Sequence, residues 1–246
     1  MPSCDLPAQR TLWSDVAMTI DRRSCVTLGL AAASQLAAQQ SDPKPVRPEP
    51  ERGVPQDLAL VKAFVIAGHA DKNLERVKEY LSQNPKLVYA AWDWGGGDWE
   101  TALNGASHIG SREMARLLLS RGARIDSFCA AMLGEREVVA ALGRANPSVV
   151  GAKGAHGYTP LYHAAISGDV AIAELLKPHL EPSPGIYTQA LGAAVRDGHL
   201  AMTKWLFENG KVNPNAEDAL GKRPLTTAIE KGFKEVAEEL RKRGAE

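Results

Sequence analysis

The stretch GYTPLYHAAISGDVAIAELL, residues 157–176, decides the fold of this chain. Thr159 and Pro160 form a helix start, because a threonine hydroxyl can accept hydrogen bonds from free backbone N–H groups and proline is tolerated in the first turn. Gly168 can end that helix in a left-handed conformation. Apolar residues then recur at helical spacing in the second half of the stretch. The stretch therefore predicts two short helices joined at Gly168.

The same pattern recurs along most of the remaining chain. Matching glycines lie at positions 110, 134, 168, 198 and 232, so the spacings between successive copies are 24, 34, 30 and 34 residues. A weaker copy near the start carries Asn73 in the glycine column. A single helix pair buries too little apolar surface to fold alone, and stacked copies supply the missing core. We expect about six helix pairs over residues 58–246, with a shortened connection after Asp126, where the 24-residue spacing falls.

The repeated columns resemble the ankyrin repeat, whose signature is T-P-L-H-x-A followed by a second helix, with a period of about 33 residues. The resemblance implies an all-α ankyrin-repeat solenoid of about six helix-turn-helix repeats with hairpin fingers between them. It also implies an interaction module rather than one chemistry. The residues that carry it include Thr101, Leu103, Leu161, Gly168, Leu225 and Gly232. Within residues 60–180, the segments WDWGGGDWETAL, AAMLGEREVV and HGYTPL are also similar to bacterial exported single-domain ankyrin-repeat proteins of undefined activity.

The first 57 residues predict a targeting segment and a spacer rather than a folded domain. Residues 1–38 form an N-terminal extension in which Arg22 and Arg23 precede a modestly apolar stretch, and this resembles a twin-arginine export signal. Residues 39–57 hold five prolines and predict an extended linker. We therefore expect a periplasmic or otherwise exported protein whose folded part is residues 58–246. The alternative is a cytoplasmic protein in which the two arginines are adjacent by chance.

The bulk composition removes several classes of function. The chain has 29 basic and 29 acidic residues, so its zero net charge gives no electrostatic argument for binding nucleic acid. No apolar run approaches the roughly 18 residues that span a bilayer, so we expect no stable membrane span once a signal is removed. The three cysteines form no C-x-x-C pair, and residues 58–246 keep Cys129 alone. We expect a monomer.

The sequence contains no recognisable catalytic or metal-binding motif. Its six histidines form neither H-E-x-x-H nor a Cys/His array with metal spacing, so we expect no metal and no cofactor. The segment GAKGAHG, residues 151–157, lacks the G-K-S/T ending of a phosphate loop and predicts a turn. Cys129 has no adjacent histidine, which favours a semi-buried thiol over a nucleophile. The sequence therefore favours a protein that is not an enzyme.

The segment AAWDWGGGDWETAL, residues 90–103, holds three of the five tryptophans in a lengthened finger loop. Measured from the Asn-Pro pair that begins each loop, it is about four residues longer than the equivalent loop before Thr159. Glu100 and Thr101 are expected to cap the next helix. The tryptophans either fold over the exposed end of the first repeat or protrude as an anchor for a partner, with Trp94 expected to be the most exposed.

These observations favour a module that binds an unidentified protein partner through the concave face and finger loops of an ankyrin stack. The candidate protein-binding residues are Trp92, Trp94, Asp98, Trp99, Asn104, His108, Tyr158, His163, Tyr187 and Arg196. The alternative is a glycan or small-molecule binder, possibly a hydrolase, built on the loop at residues 92–100. Aromatic platforms beside carboxylates suit sugars, and this loop carries both kinds of side chain.

Overall fold

A computed structural model describes residues 57–181, 183–218 and 221–246. Residues Pro55–Glu246 form one compact unit. The predicted export signal with Arg22 and Arg23 and nearly all of the predicted linker lie outside the described residues. Among the residues that are described, no helix has both the length and the apolar character needed to cross a membrane.

The described residues are mostly helical, which confirms the all-α prediction at the level of fold class. They contain thirteen α-helices, four short 3-10 helices and one two-stranded sheet. The strands are β1 (Ala91–Asp93) and β2 (Trp99–Thr101). The α-helices are α1 (Leu58–Ala67), α2 (Leu74–Gln83), α3 (Ala102–Ile109), α4 (Arg112–Ser120), α5 (Ser127–Leu133), α6 (Arg136–Ala145), α7 (Pro147–Gly151), α8 (Pro160–Ser167), α9 (Val170–Leu176), α10 (Pro184–Arg196), α11 (Leu200–Asn209), α12 (Pro224–Glu230) and α13 (Lys234–Lys242).

Twelve of these helices form six consecutive pairs, and the short helix α7 lies in a connection. The first helix of each pair contacts the first helix of the next, from α1 through α3, α5, α8 and α10 to α12. The second helices α6, α9, α11 and α13 contact one another in the same way. Small buried residues on the first helices, such as Ala106, Ala131 and Ala164, allow this close approach. The arrangement is compatible with a repeat protein.

Local sequence signals set the ends of these helices. Gly110, Gly134 and Gly168 follow α3, α5 and α8 with φ values of 81°, 86° and 73°. The left-handed turns predicted from the glycine column are therefore present at these positions. Asn73, in the same column of the first copy, has φ of −97° and makes no such turn.

The second helices bury the predicted apolar stripe, with one exception. In five of the six second helices the predicted stripe positions are buried; these are Val77 and Leu81, Met114 and Leu118, Ile172 and Leu176, Met202 and Leu206, and Val236 and Leu240. In α6, Val138 and Leu142 are only half-buried, and Val139 is buried instead. The helix α7 packs against α6 and contributes the buried Val150. The most degenerate copy of the repeat therefore faces the core with a different side of its second helix.

The connections between pairs differ more than the repeat predicts. The tryptophan loop forms an antiparallel hairpin in which Trp92 pairs with Glu100. This hairpin is the only strand pairing in the described ranges. The prediction of hairpin fingers between all repeats is therefore wrong for the other described connections. The corresponding connection before Thr159 contains α7 and a 3-10 turn. The shortened connection predicted after α4 is confirmed, because α5 begins at Ser127 directly after its cap Asp126.

Candidate functional site

The hairpin buries a carboxylate at the centre of a side-chain cluster. Strand residues alternate between the two faces of a sheet, so Glu100 points away from the side of its neighbours Trp99 and Thr101. Glu100 is 0% exposed. The prediction that Glu100 caps α3 is therefore wrong. The prediction for Thr101 is confirmed, because its hydroxyl accepts a hydrogen bond from the backbone N–H of Asn104 at 3.1 Å, and the Asn104 side chain accepts one from the N–H of Thr101.

Three histidines surround the Glu100 carboxylate. Nε2 of His69 lies 3.2 Å from Oε2, and Nδ1 of His108 lies 3.0 Å from Oε1. Nε2 of His156 lies 3.6 Å from Oε2. Trp94 donates its indole N–H to Oε2 at 2.7 Å. The hairpin and the helix that follows it therefore meet two distant segments, at His69 and His156, around one buried acid.

The histidines decide the ionisation of this acid. Burial alone raises the pKa of Glu100, but the interactions with His108 and His69 outweigh burial and hold that pKa well below its usual range. In His69, burial lowers the pKa, and the hydrogen bond and charge of Glu100 more than reverse that effect, so the pKa is raised. The cluster therefore holds an ionised and fully buried carboxylate against imidazole rings.

Two of the histidines are oriented through their other ring nitrogen. Nδ1 of His69 donates to the backbone carbonyl of Val65 at 2.9 Å. Nδ1 of His156 lies 3.0 Å from Oδ2 of Asp98, whose Oδ1 also accepts the backbone N–H of His156. Asp98 was predicted to contact a partner, and the structure places it against this histidine. These contacts direct both Nε2 atoms toward Glu100.

The backbone at His156 is unusual. Among the described residues, His156 is the only non-glycine residue with positive φ, at 57°. Histidine adopts this left-handed region more readily than most residues. A hydrogen bond of 2.8 Å from the Gly154 N–H to the Tyr158 carbonyl closes the turn. The turn places the imidazole of His156 against the tryptophan hairpin, where it contacts Asp98.

The sequence predicts no metal-binding residues, but the fold brings four of them together. Ligand atoms of His69, Glu100, His108 and His156 all lie within 4.8 Å of one another. Glu100 and His108 lie eight residues apart, but His69 and His156 lie far from both, so no short linear motif contains all four. Of the four, only His108 was among the predicted functional residues. The one signal in the sequence was the acid Glu100 beside Trp99. Its burial can be inferred only once the pairing of the two strands is known.

The tryptophans have divided positions. Trp92 packs against the core, and the ammonium group of Lys62 lies 5.2 Å from its ring centroid. Trp94 is 38% exposed and is held by Glu100, whereas Trp99 is 60% exposed. The prediction that Trp94 is the most exposed is therefore wrong. Because β1 contacts α1, Trp92 and Trp94 lie toward the first helix pair, as the capping alternative expects, and Trp99 projects away.

Three other predicted site residues are enclosed by the fold. The amide of Asn104 donates to Asp126 at 2.7 Å and so links the starts of α3 and α5. His163 and Tyr187 are only 3% and 7% exposed. Burial lowers the pKa of His163 to about 4, so this histidine is neutral at physiological pH. We therefore leave His163 and Tyr187 out of the candidate surface.

The remaining predicted residues, Tyr158 and Arg196, line a groove of about 460 Å³. The ring of Tyr158 stacks on Tyr162 with centroids 4.0 Å apart. The guanidinium of Arg196 donates to Asp197 at 2.9 Å. Residues of α10, α12 and the connection before α12 complete the groove. This groove and the cluster around Glu100 are the two candidate sites of the described chain.

Cys129 is not accessible in this fold. Its side chain is fully buried, and burial raises the pKa of its thiol to about 12. We expect a thiol-alkylating reagent at mildly alkaline pH to leave Cys129 unlabelled in the native protein and to label it in urea. Peptide mass spectrometry measures both states, with a free cysteine peptide as the reference for the rate. Native labelling at the reference rate would contradict the burial of this thiol.

No protein-family model matches the chain, and no curated protein matches it.

Proposed function

We propose that residues 57–246 act as a non-enzymatic module that binds a segment of a partner protein in the groove beside Tyr158 and Tyr162. The observation that carries this proposal is the groove itself, which runs between the stacked tyrosines and the connection before α12. Tyrosine and arginine are enriched among the residues that dominate binding energy at protein interfaces. The tyrosines and Arg196 supply both types along the groove.

The edges of the groove carry charges of both signs. Arg196 lies on one helix, and Glu217 and Lys222 lie on the connection that faces it. The ammonium group of Lys222 is held by Glu230 at 2.6 Å. A surface with aromatic side chains in its floor and mixed charges at its edges favours a peptide segment with apolar anchors over a highly charged polymer.

Gly192 lines the groove without a side chain that would fill it. A glycine inside a helix destabilises it by roughly 0.5–1 kcal/mol relative to alanine. Gly192 lies within α10, and a Cβ atom built there meets nothing within 4 Å. Packing within the domain therefore does not require a glycine at this position, and a long side chain placed there would extend into the groove.

Filling the groove is expected to abolish binding without disturbing the fold. We expect peptides selected from a random displayed library on the full chain to lose at least about tenfold in affinity for Gly192→Leu, because the new side chain occupies their space. Gly185→Leu is the matched control, since Gly185 lies on the same helix, is exposed and does not line the groove. Fluorescence anisotropy with the selected peptides measures both affinities.

Two results would contradict the proposal. One is a library that yields no peptide enriched on the wild-type chain. The other is a set of selected peptides that bind Gly192→Leu as tightly as the wild type. If such peptides instead lose affinity for Trp99→Ala, the tryptophan finger is the binding surface.

A further inference from the structure

We propose that His69, Glu100, His108 and His156 together bind one divalent transition-metal ion of the zinc class in a closed, four-ligand site. The proposal is independent of the groove, because none of these four residues lines it. Three imidazoles and one carboxylate are a donor set that suits zinc, copper, iron or nickel, whereas magnesium and calcium prefer oxygen ligands throughout.

The distances between the ligand atoms match the requirements of such an ion. In a tetrahedral zinc site with bonds of about 2.0–2.1 Å, neighbouring ligand atoms lie about 3.3 Å apart. The three nitrogen atoms lie 3.0, 3.2 and 3.6 Å from the nearest Glu100 oxygen. All four ligand atoms lie within 4.8 Å of one another, so a tetrahedral ion requires the more distant pairs to approach by up to about 1.5 Å.

The hydrogen-bond pattern leaves lone pairs directed at the centre. A backbone carbonyl only accepts hydrogen bonds, so Nδ1 of His69 carries the proton that it donates to Val65. In neutral His69 the lone pair of Nε2 then faces the Glu100 carboxylate. Asp98 likewise accepts the Nδ1 proton of His156, so the Nε2 lone pair of neutral His156 also faces the negatively charged Glu100. One divalent metal ion removes the repulsion between these lone pairs and the carboxylate by accepting both lone pairs.

Protonation of the histidines relieves the repulsion between their lone pairs and Glu100 less well than a metal ion does. A second proton on His69 and on His156 places two imidazolium cations at the Glu100 carboxylate, with His108 between them and with Asp98 contacting only His156. The ring centroid of His108 lies 5.1 Å from that of His69 and 5.3 Å from that of His156. Oε1 of Glu100 is fully buried and accepts no well-aligned hydrogen bond from any described residue. A metal ion at the centre gives this oxygen a partner.

The surroundings of the cluster have the organisation of a metal site. Histidines that bind metals usually donate their other ring N–H to a carboxylate or a backbone carbonyl, which fixes their orientation. Asp98 and the Val65 carbonyl do this for His156 and His69. A strained backbone held by surrounding structure is common at ligand sites, and His156 has such a backbone. Four protein ligands complete a tetrahedron, so the site is structural and leaves no position for a substrate.

The test measures metal binding to the full-length chain after removal of metals by a chelator. The background carries Cys4→Ser and Cys25→Ser, so that these thiolates do not compete for metal. Equilibrium dialysis is expected to give one Zn²⁺ per chain. Outer-sphere partners alone contribute about 10–100-fold to metal affinity. We therefore expect losses above about 100-fold for Glu100→Gln and His156→Ala, and of about 10–100-fold for Asp98→Asn.

His179→Ala is the matched control, because His179 lies outside the cluster, and it is expected to bind Zn²⁺ as the wild type does. Circular dichroism of each metal-free variant separates a lost ligand from a lost fold. The Co²⁺ form is expected to show the intense visible absorption of four-coordinate cobalt. Less than one Zn²⁺ per wild-type chain, unchanged affinity in folded His156→Ala, or the weak spectrum of six-coordinate cobalt would each overturn the proposal.

Discussion

Replacing Glu100 with alanine in the metal-free protein is expected to lower the free energy of unfolding by about 3–5 kcal/mol, the usual range when one partner of a buried charged cluster is removed. The substitution takes away the common partner of His69, His108 and His156. It also leaves the indole N–H of Trp94 without the acceptor that it has in the wild type. Urea denaturation followed by circular dichroism, with a chelator present, measures the difference.

The control for this substitution is Glu75→Ala. Glu75 is exposed on α2, and among the described residues its ion pair is with Lys78 one helical turn away. Its replacement is expected to change stability by no more than about 0.5 kcal/mol. A loss below about 1 kcal/mol for Glu100→Ala would show that the buried carboxylate does not hold the hairpin against the helices.

Acidification is expected to destabilise the wild type by about 3 kcal/mol more than the variant His163→Leu between pH 6.5 and pH 4. The pKa of His163 is about 4 in the folded protein and 6.5 when unperturbed. Above pH 6.5 both states hold a neutral ring, so this histidine makes no difference. As the pH falls from 6.5 to 4, the unfolded chain binds a proton that the folded chain does not, and unfolding becomes more favourable. Below pH 4 the full loss persists.

Urea titrations at several pH values for the wild type and His163→Leu measure this effect as a difference, so the carboxylates common to both proteins cancel. Leucine suits the site, because His163 is buried on α8 against the ring of Phe128. Parallel stability curves for the two proteins over this pH range would contradict the burial of a neutral His163.

The helix pairs were predictable because their signals are local. A glycine turn and an apolar stripe each lie within a few residues, as Gly168 and the buried Ile172 and Leu176 after it show. The predicted cap at Thr159 is wrong, because no backbone N–H of α8 donates a hydrogen bond to its hydroxyl. The exceptions have physical reasons. In the copy containing Val138 the stripe is only half-buried, and there α7 packs against the second helix. The hairpin could be located from its excess length, but its pairing register is a property of two strands together.

The cluster around Glu100 was not predictable in this way. His69, His108 and His156 meet only after α1, α3 and the turn before α8 have stacked. The spacing of these residues in the sequence therefore does not predict that their side chains form one site. The burial of Glu100 depends on the register that places it opposite Trp92. Sequence patterns describe single elements well, whereas this cluster is a consequence of how several elements assemble.

Gly192 contributes to the shape of the groove but not to the packing of the helix core. A Cβ atom introduced there meets no atom within 4 Å, so the packing of the helices does not require this glycine. Under the proposed function, one substitution at position 192 is expected to change which partner segments the groove admits while the helices stack as before.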